Sequence, residues 1–298
     1  MSMDKETPIV VYGVDHSPWV QGVLIALQAK NLPYRIRSLP LSLRAYRRFG
    51  LVMPICRWPD GSMTTDSFAI MTELERRYPT GLSTDGLNDN SQRALEGLFL
   101  SYVMGRIGGM KVLWFATGWS AMPSGEKQLR AGFFRAFMYL YFFLLIIGGR
   151  SQMRKRGFNP DQYDGFGKVL SRYSPQLGDA HFLGGKAPGY LDFALFGHIQ
   201  CMLSGLTDET RPILLANEPV QKWIDRMATA MPDYRHDFSK RLDDPSHWPK
   251  RASLGERAFF WLGLCTSIVV LPLTIGLLID GFRRRAKNAA RSGGKMRV

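Results

Sequence analysis

The stretch PIVVYGVDHSPWVQGVLIALQAKNLPYRIR, residues 8–37, decides the fold of the N-terminal part of the chain. It opens with a β-branched run, which predicts a buried strand. Ser17-Pro18 then joins a favoured helix N-cap to a favoured first helical residue, and apolar residues at helical spacing follow until Pro33. Residues 34–41 alternate like a second strand. This order predicts a right-handed β-α-β unit with parallel strands.

Two further strands and a helix complete the predicted N-terminal domain. Apolar runs at residues 55–58 and 62–65 flank an Asp-Gly dipeptide, which is a strong hairpin signal. Asp66 or Ser67 then caps a helix. The resulting order, β-α-β and then β-β-α, is that of an α/β thioredoxin-like domain with a four-stranded mixed sheet. We expect this domain over residues 8–80.

The remainder of the chain divides into four predicted parts. Strand signals nearly vanish over residues 91–231, which predicts an all-α domain, and the polar residues 233–257 form a tether. A membrane segment is predicted at 258–282, because residues 258–279 are 22 residues without a charge. A helix of that length spans roughly 33 Å, against a hydrocarbon core of about 30 Å. Residues 283–298 form a basic tail.

Composition and charge narrow the classes of function. The 298 residues include 45% hydrophobic and 21% charged residues, which excludes a disordered chain. A mean hydropathy of −0.13 excludes a polytopic membrane protein. The net charge is +14, of which residues 283–298 supply +7, and we expect the rest to be spread over the other 282 residues with a cluster at 150–156. We interpret this excess as an anchor to lipid headgroups, and no nucleic-acid-binding module is recognised.

The cysteines, the histidines and the N-terminus give no sign of a metal site or of secretion. Cys56, Cys201 and Cys265 are widely spaced and form no CxxC motif, so we expect reduced thiols. The histidines have no ligand spacing, and we expect no metal. The N-terminus lacks the pattern of a secretory signal, which predicts cytosolic folded domains.

Four segments in joint order resemble the glutathione transferase superfamily: YGVDHSPWVQGVLIALQAKNLPY, VMPI, TTDSFAIMTELERRYP and GGKAPGYLDFALFGHI. The resemblance covers roughly residues 8–231. The GGR at 148–150, the run LGDAHFLGG and the apolar C-terminal segment are most similar to the metaxin and failed-axon-connections branch. The ganglioside-induced differentiation-associated proteins share the tail-anchored layout. The resemblance also implies a helix N-capping box at residues 189–192, with Gly189 where relatives carry Ser or Thr.

The resemblance implies that Ser17 activates the thiol of glutathione. A helix N-terminus carries unpaired N–H groups and a partial positive charge, which favour a thiolate and lower the thiol pKa. The alternative is that Ser17 only caps the helix. His16 and Tyr12 are weaker catalytic candidates. Tyr12 ends the first strand, where tyrosine-type relatives carry their catalytic residue, but a packed strand tyrosine is the alternative.

The resemblance implies that four further residues bind glutathione. The peptide bond before Pro54 is expected to be cis, and the backbone of Met53 to pair with the cysteinyl part. Asp66 and Ser67 match the acidic-Ser pair that holds the γ-glutamyl group, because a carboxylate pairs with an ammonium while a hydroxyl and helix amides receive a carboxylate. The alternatives are fold maintenance for Pro54 and another helix cap for Asp66-Ser67.

Together these features predict a membrane-anchored glutathione S-transferase-like protein that conjugates a hydrophobic electrophile, and a homodimer is the expected assembly. The alternative is a non-catalytic, membrane-tethered adaptor of the metaxin type. The predicted location is either the bacterial inner membrane or the mitochondrial outer membrane. Residues 258–282 either span the membrane once or, kinked at Pro272, form a re-entrant hairpin. Residues 133–147 either insert as well or form a buried or interfacial helix.

Overall fold

The structure, a computed structural model, describes five stretches of the chain: residues 8–13, 17–37, 53–104, 181–203 and 216–231. It also describes isolated positions at 177, 214, 265, 269, 272, 275, 276, 279, 280 and 283. Helices and strands are numbered over these residues. The predictions on His16, residues 133–147, the tether, and nearly all of the membrane segment and basic tail lie outside them.

A four-stranded mixed sheet forms the centre of the N-terminal part, as predicted. Its strands lie in the order β2-β1-β3-β4. β1 runs parallel to β2 and antiparallel to β3, and β3 runs antiparallel to β4. The Asp-Gly turn joins β3 to β4, with Gly61 at φ +81°, a conformation that favours glycine. The strands are β1 (Ile9–Tyr12), β2 (Tyr34–Arg37), β3 (Ile55–Arg57) and β4 (Met63–Thr65).

Helices α1 (Pro18–Ala29) and α2 (Ser67–Arg77) share one hydrophobic core with the sheet. Ile9, Val11 and Cys56 enter this core, and strand alternation places them on one face of the sheet. The apolar side of α1, predicted from its helical spacing, is fully buried there. These elements make the thioredoxin-like domain.

Beyond residue 88 the part of the chain that the structure describes consists of helices and turns, with one isolated bridge between Phe182 and Gly185. The helices are α3 (Asp89–Met104), α4 (Tyr190–Leu203) and α5 (Glu218–Ala230). The predicted capping box of α4 is present, because the Asp192 carboxylate accepts from the Gly189 N–H at 3.0 Å. The predicted all-α character holds for these stretches.

Helices α1 and α4 are in backbone contact. A Cβ added to Gly197 would lie 2.5 Å from the Gly22 nitrogen and 2.7 Å from the Pro18 oxygen. A Cβ added to Gly22 would lie 3.1 Å from the Ala194 Cα. Glycine at 22 and 197 therefore permits this contact, which fixes the first turn of α1 against the helical part.

The C-terminal segment is described only at its isolated positions, each of which is helical. Val269 and Ile279 are 80% and 46% exposed. Among the helices that the described residues form, none has the length and apolar character needed to cross a membrane.

Candidate functional site

At the end of the sheet where the predicted site residues lie, three strands each have a terminal residue in one row: β1 and β4 end there and β3 begins there. Tyr12 pairs with Ile55, and Ile55 pairs with Thr65. Because neighbouring strands are about 4.8 Å apart, this row is roughly 10 Å wide. Tyr12 is half-buried, and Arg37 of β2 pairs with it on the other side.

The predicted binding residues adjoin this row. The peptide bond between Met53 and Pro54 is cis, as predicted. The Asp66 N–H donates to the Pro54 carbonyl at 3.3 Å. A Cβ on Gly13, the residue after Tyr12, would lie 3.6 Å from the Met53 Cβ. The structure therefore brings together Gly13 and Met53, which are 40 positions apart in the sequence.

Ser17 occupies the N-cap position of α1, but its hydroxyl does not act as a cap. Its backbone is extended (φ −72°, ψ 127°) and its carbonyl accepts from the Gln21 N–H at 2.8 Å. The side chain makes no hydrogen bond to the first-turn amides. Ser17 is thus the N-cap residue, as its alternative interpretation predicts, but its side chain makes no capping bond to the helix that Pro18 begins. Ser17 is 1% exposed.

Asp66 is the cap of α2, as its alternative interpretation predicts. One carboxylate oxygen accepts from the N–H groups of Phe68 at 3.0 Å and Ala69 at 3.4 Å. The other accepts from Gln92 of α3 at 2.8 Å. The backbone of Asp66 has φ +79°, which costs a non-glycine residue of order 1–3 kcal/mol. Its cap and its tie to α3 compensate for that strain.

Ser67, the first residue of α2, has a buried hydroxyl group whose hydrogen-bonding capacity is not satisfied by the described residues. The residue is 2% exposed and its hydroxyl has no partner in the described part of the chain. A buried polar group left without a partner costs about 1–3 kcal/mol. An unsatisfied hydroxyl at a helix N-terminus, beside Asp66, is a group suited to meet a ligand.

An aromatic cluster that the sequence did not predict lies next to Ser17. Trp19 packs edge-to-face on Phe99 at 4.6 Å and on His198 at 5.3 Å between ring centroids. His198 Nδ1 donates to the Ala194 carbonyl at 2.8 Å, which leaves Nε2 as an acceptor, and this buried atom has no partner among the residues that the structure describes. Burial lowers the pKa of His198 to about 4, so the ring is neutral at pH 7. A lone histidine in the apolar run DFALFGHI was the available signal.

A buried ion pair links α1, α2 and α4, and the sequence did not predict it either. Lys30 Nζ, on a side chain that is 1% exposed, donates to Glu75 at 2.5 Å and to Tyr78 O and Thr80 Oγ1 at 2.6 Å. The Tyr190 hydroxyl donates to Glu75 at 2.8 Å. Burial raises the pKa of Glu75, but these hydrogen bonds and two from backbone N–H groups outweigh it and lower the pKa to about 2.

The three cysteines are free, with Cys56 and Cys201 buried and Cys265 exposed. Burial raises the pKa of the Cys56 thiol to about 12, although Arg77 acts in the opposite direction. Over the stretches that the structure describes, no group of His, Cys, Asp and Glu side chains is arranged to hold a metal ion.

Residues 16–77 match the family model described as the N-terminal domain of glutathione S-transferase. This range contains every predicted site residue except Tyr12. No curated protein matches the chain.

Several solved glutathione transferases are similar to this chain. The F2 enzyme from Populus trichocarpa is 18% identical, with 78% of this chain and 96% of that chain covered and a TM-score of 0.46. A delta-class enzyme from Nilaparvata lugens is 16% identical, with 86% and 100% covered and a TM-score of 0.46. A Bombyx mori enzyme is 15% identical, with 79% and 96% covered and a TM-score of 0.49.

Proposed function

We propose that this chain is a membrane-anchored glutathione S-transferase-like protein that binds glutathione and directs its thiol to a hydrophobic electrophile. One observation carries the proposal: Gly13, just after β1, lies against Val20 in the first turn of α1 and against Met53 of the cis bond, and the Asp66 N–H donates to the Pro54 carbonyl. The match of residues 16–77 to the glutathione S-transferase N-terminal domain supports it.

Ser17 and the N-terminus of α1 stabilise the thiolate in this proposal. The partial positive charge of the helix end lowers the thiol pKa, and a hydroxyl donated to the thiolate adds about 1.5–3 kcal/mol. The thiol proton passes to water. The sulfur then forms a bond to an electrophilic carbon, whose leaving group departs with the bonding electron pair. Because the Ser17 hydroxyl does not cap α1, that role does not compete with its own helix.

The other groups of glutathione meet the remaining site residues. The Met53 backbone pairs with the cysteinyl part, and the Asp66 carboxylate pairs with the γ-glutamyl ammonium. The γ-glutamyl carboxylate accepts from the Ser67 hydroxyl and the first N–H groups of α2. The unpartnered hydroxyl of Ser67 supports this assignment. The apolar part of the electrophile packs near Trp19 and Phe99.

Residues 258–282 anchor the protein, with the basic tail beside lipid headgroups and the folded domains in the cytosol. The charge-free run at 258–279 supports this, together with the exposure of Val269 and Ile279. A protease added to the cytosolic side of sealed vesicles separates the two topologies through a C-terminal tag. Protection of the tag contradicts the re-entrant hairpin, and its cleavage contradicts the single span.

A second candidate function is a non-catalytic adaptor of the metaxin or failed-axon-connections type. Two observations favour it: Ser17 is 1% exposed, and both oxygens of the Asp66 carboxylate already accept hydrogen bonds from the protein. The adaptor binds a protein partner and leaves glutathione unbound.

Calorimetric titration of the full chain with glutathione, together with conjugation of an aryl halide, separates the two candidates. Ser17→Ala is expected to keep glutathione binding and to lose about tenfold or more in conjugation rate, the equivalent of one charged hydrogen bond. Ser91→Ala, in α3, is the matched control and is expected to keep both. If the wild-type chain neither binds nor conjugates, the enzyme is ruled out. If Ser17→Ala is fully active, only the role of Ser17 fails. Light scattering of the same sample measures the molar mass and so tests the expected homodimer.

A further inference from the structure

Gln92 lies in the first turn of α3, and the cap of that helix fixes its place. The Asn88 side-chain oxygen accepts from the N–H groups of Asn90 at 3.0 Å and Ser91 at 3.1 Å, and the Asn88 carbonyl accepts from the Gln92 N–H at 3.0 Å. An asparagine cap of this kind sets the residue at which a helix begins. From this fixed start the half-buried side chain of Gln92 reaches Asp66 and donates to its Oδ2 at 2.8 Å.

The Asp66 carboxylate is held from two sides. Its Oδ1 accepts from the N–H groups of Phe68 at 3.0 Å and Ala69 at 3.4 Å, which belong to the helix that Asp66 caps. Its Oδ2 accepts from Gln92, which lies 26 positions away in another helix. Donors on both oxygens hold the side-chain torsion angles in one rotamer and so fix the orientation of the carboxylate. Of these bonds, the one from Gln92 comes from outside α2.

This support differs chemically from that of Glu75, on the same helix. Glu75 accepts from Lys30, whose ammonium neutralises the carboxylate. The side-chain amide of Gln92 donates a hydrogen bond but carries no charge. Its bond also takes up only one of the roughly four acceptor sites of a carboxylate. Gln92 therefore orients the Asp66 carboxylate without neutralising it.

We propose that Gln92 is a positioning residue for glutathione: it holds the Asp66 carboxylate in the orientation that receives the γ-glutamyl ammonium. This inference rests on the proposed binding of glutathione. A group that is ordered before the ligand arrives loses little conformational freedom on binding, and the affinity rises accordingly. The strained backbone of Asp66, with φ +79°, fits this role, because such residues cluster at sites that clamp a ligand.

The proposal extends the site beyond the thioredoxin-like domain. Gln92 lies outside the residues 16–77 that match the glutathione S-transferase N-terminal domain. Its helix, α3, contacts α4 of the helical part. The affinity for the γ-glutamyl end of glutathione therefore depends on a residue that the helical part supplies.

Calorimetric titration of the full chain with two ligands tests the proposal. One ligand is glutathione, and the other is glutaryl-cysteinylglycine, which is glutathione without its amino group. Gln92→Met removes the donor and keeps a side chain of similar length and helix propensity. Gln221→Met is the matched control, because it removes a bond of the same kind, from the Gln221 amide to the Asp225 carboxylate in α5.

We expect Gln92→Met to weaken glutathione binding about tenfold, which corresponds to the loss of one hydrogen bond to a charged group. The same variant should change the binding of glutaryl-cysteinylglycine by less than about twofold, because this ligand has no ammonium to place. In the aryl halide assay Gln92→Met should raise the KM for glutathione about tenfold and leave kcat unchanged, since Asp66 is assigned to the γ-glutamyl end and not to the sulfur. Gln221→Met should leave all of these values unchanged.

Two results would overturn the role of Gln92 alone. Gln92→Met may bind glutathione as tightly as the wild type does, or it may weaken the two ligands equally, which would indicate a general loss of structure. In both cases the wild-type chain still binds glutathione, so the proposed function stands. If the wild-type chain binds no glutathione, the proposed function fails and the role of Gln92 fails with it.

Discussion

The N-terminal ends of α2 and α4 both carry an aspartate whose carboxylate accepts from the backbone at the start of its own helix, yet the two ends are built differently. Asp192 is fully buried and accepts from the N–H groups of Leu183, Gly184 and Gly189 and from Trp223 Nε1, at 2.7–3.0 Å. Asp66 has a strained backbone, and the Ser67 hydroxyl beside it has no partner within the described stretches. Buried polar groups are normally paired, so the end that stays incomplete marks the candidate site.

The N-terminal end of α4, where the Asp192 carboxylate is fully hydrogen-bonded, gives the most direct test of this comparison. Asp192→Ala leaves three backbone N–H groups and one indole N–H without an acceptor, and we expect a loss of at least about 3 kcal/mol in unfolding free energy. Urea denaturation measures it. Asp225→Ala, on the partly exposed α5, is the control and should cost less than about 0.5 kcal/mol. A loss below about 1 kcal/mol for Asp192→Ala would show that water replaces its contacts.

The second largest effect concerns His198, whose buried Nε2 is also unpartnered. Its pKa is about 4 in the folded protein and about 6.5 when unfolded, so the unfolded state binds more protons between these values. Stability is therefore complete above pH 6.5 and falls by about 3 kcal/mol as the pH drops toward 4. Denaturation across this range should show the slope in the wild type and in His181→Phe, an exposed control, but not in His198→Phe. An unchanged slope in His198→Phe would assign it to another group.

Asp66→Asn sharpens the comparison by separating capping from charge. Asparagine caps a helix as well as aspartate does, so unfolding free energy should change by less than about 0.5 kcal/mol. Glutathione affinity should fall about tenfold, since the ammonium loses its charged partner. Calorimetry measures both quantities. Asn217→Ala, which removes the cap of α5, should show the reverse: about 1 kcal/mol less stability and unchanged affinity. Equal affinity in Asp66→Asn would leave Asp66 as a cap only.

The smallest expected effect is that of Ser67→Ala. Because the hydroxyl has no partner in the described part of the chain, its removal should leave stability unchanged or raise it by up to about 1 kcal/mol. Glutathione affinity should fall about fivefold, the value of one hydrogen bond. The same two measurements apply. A loss of stability instead would mean that the hydroxyl is structurally satisfied.

The sequence predicted the secondary-structure elements that depend on residues close together in the chain. The β-branched run, Ser17-Pro18 and the Asp-Gly turn each act within a few residues, so their strand, helix and hairpin are found. The parallel pairing of β1 with β2 then followed from connection rules. Even so, the Ser17 hydroxyl was assigned a capping bond that its side chain does not make, because a preferred residue type does not fix a rotamer.

What could not be predicted depends on contacts between distant residues. Trp223 donates to Asp192 from 31 positions away, and Tyr190 to Glu75 from 115 positions away. Arg35 and Arg57 share a face only because β3 returns antiparallel beside β1. No periodicity in the sequence encodes such pairs, since each one exists only after the whole chain has packed.

The contact of Gly22 with Gly197 has a consequence for how this protein can be divided. The segment that family comparison recognises ends at residue 77, but α1 within it presents bare backbone to α4 across a gap too small for a methyl group. Cutting the chain after the recognised segment would expose that backbone stripe together with its buried neighbours. The smallest autonomous folding unit therefore includes α4, and the boundary that sequence similarity draws is not one at which the protein can be cut.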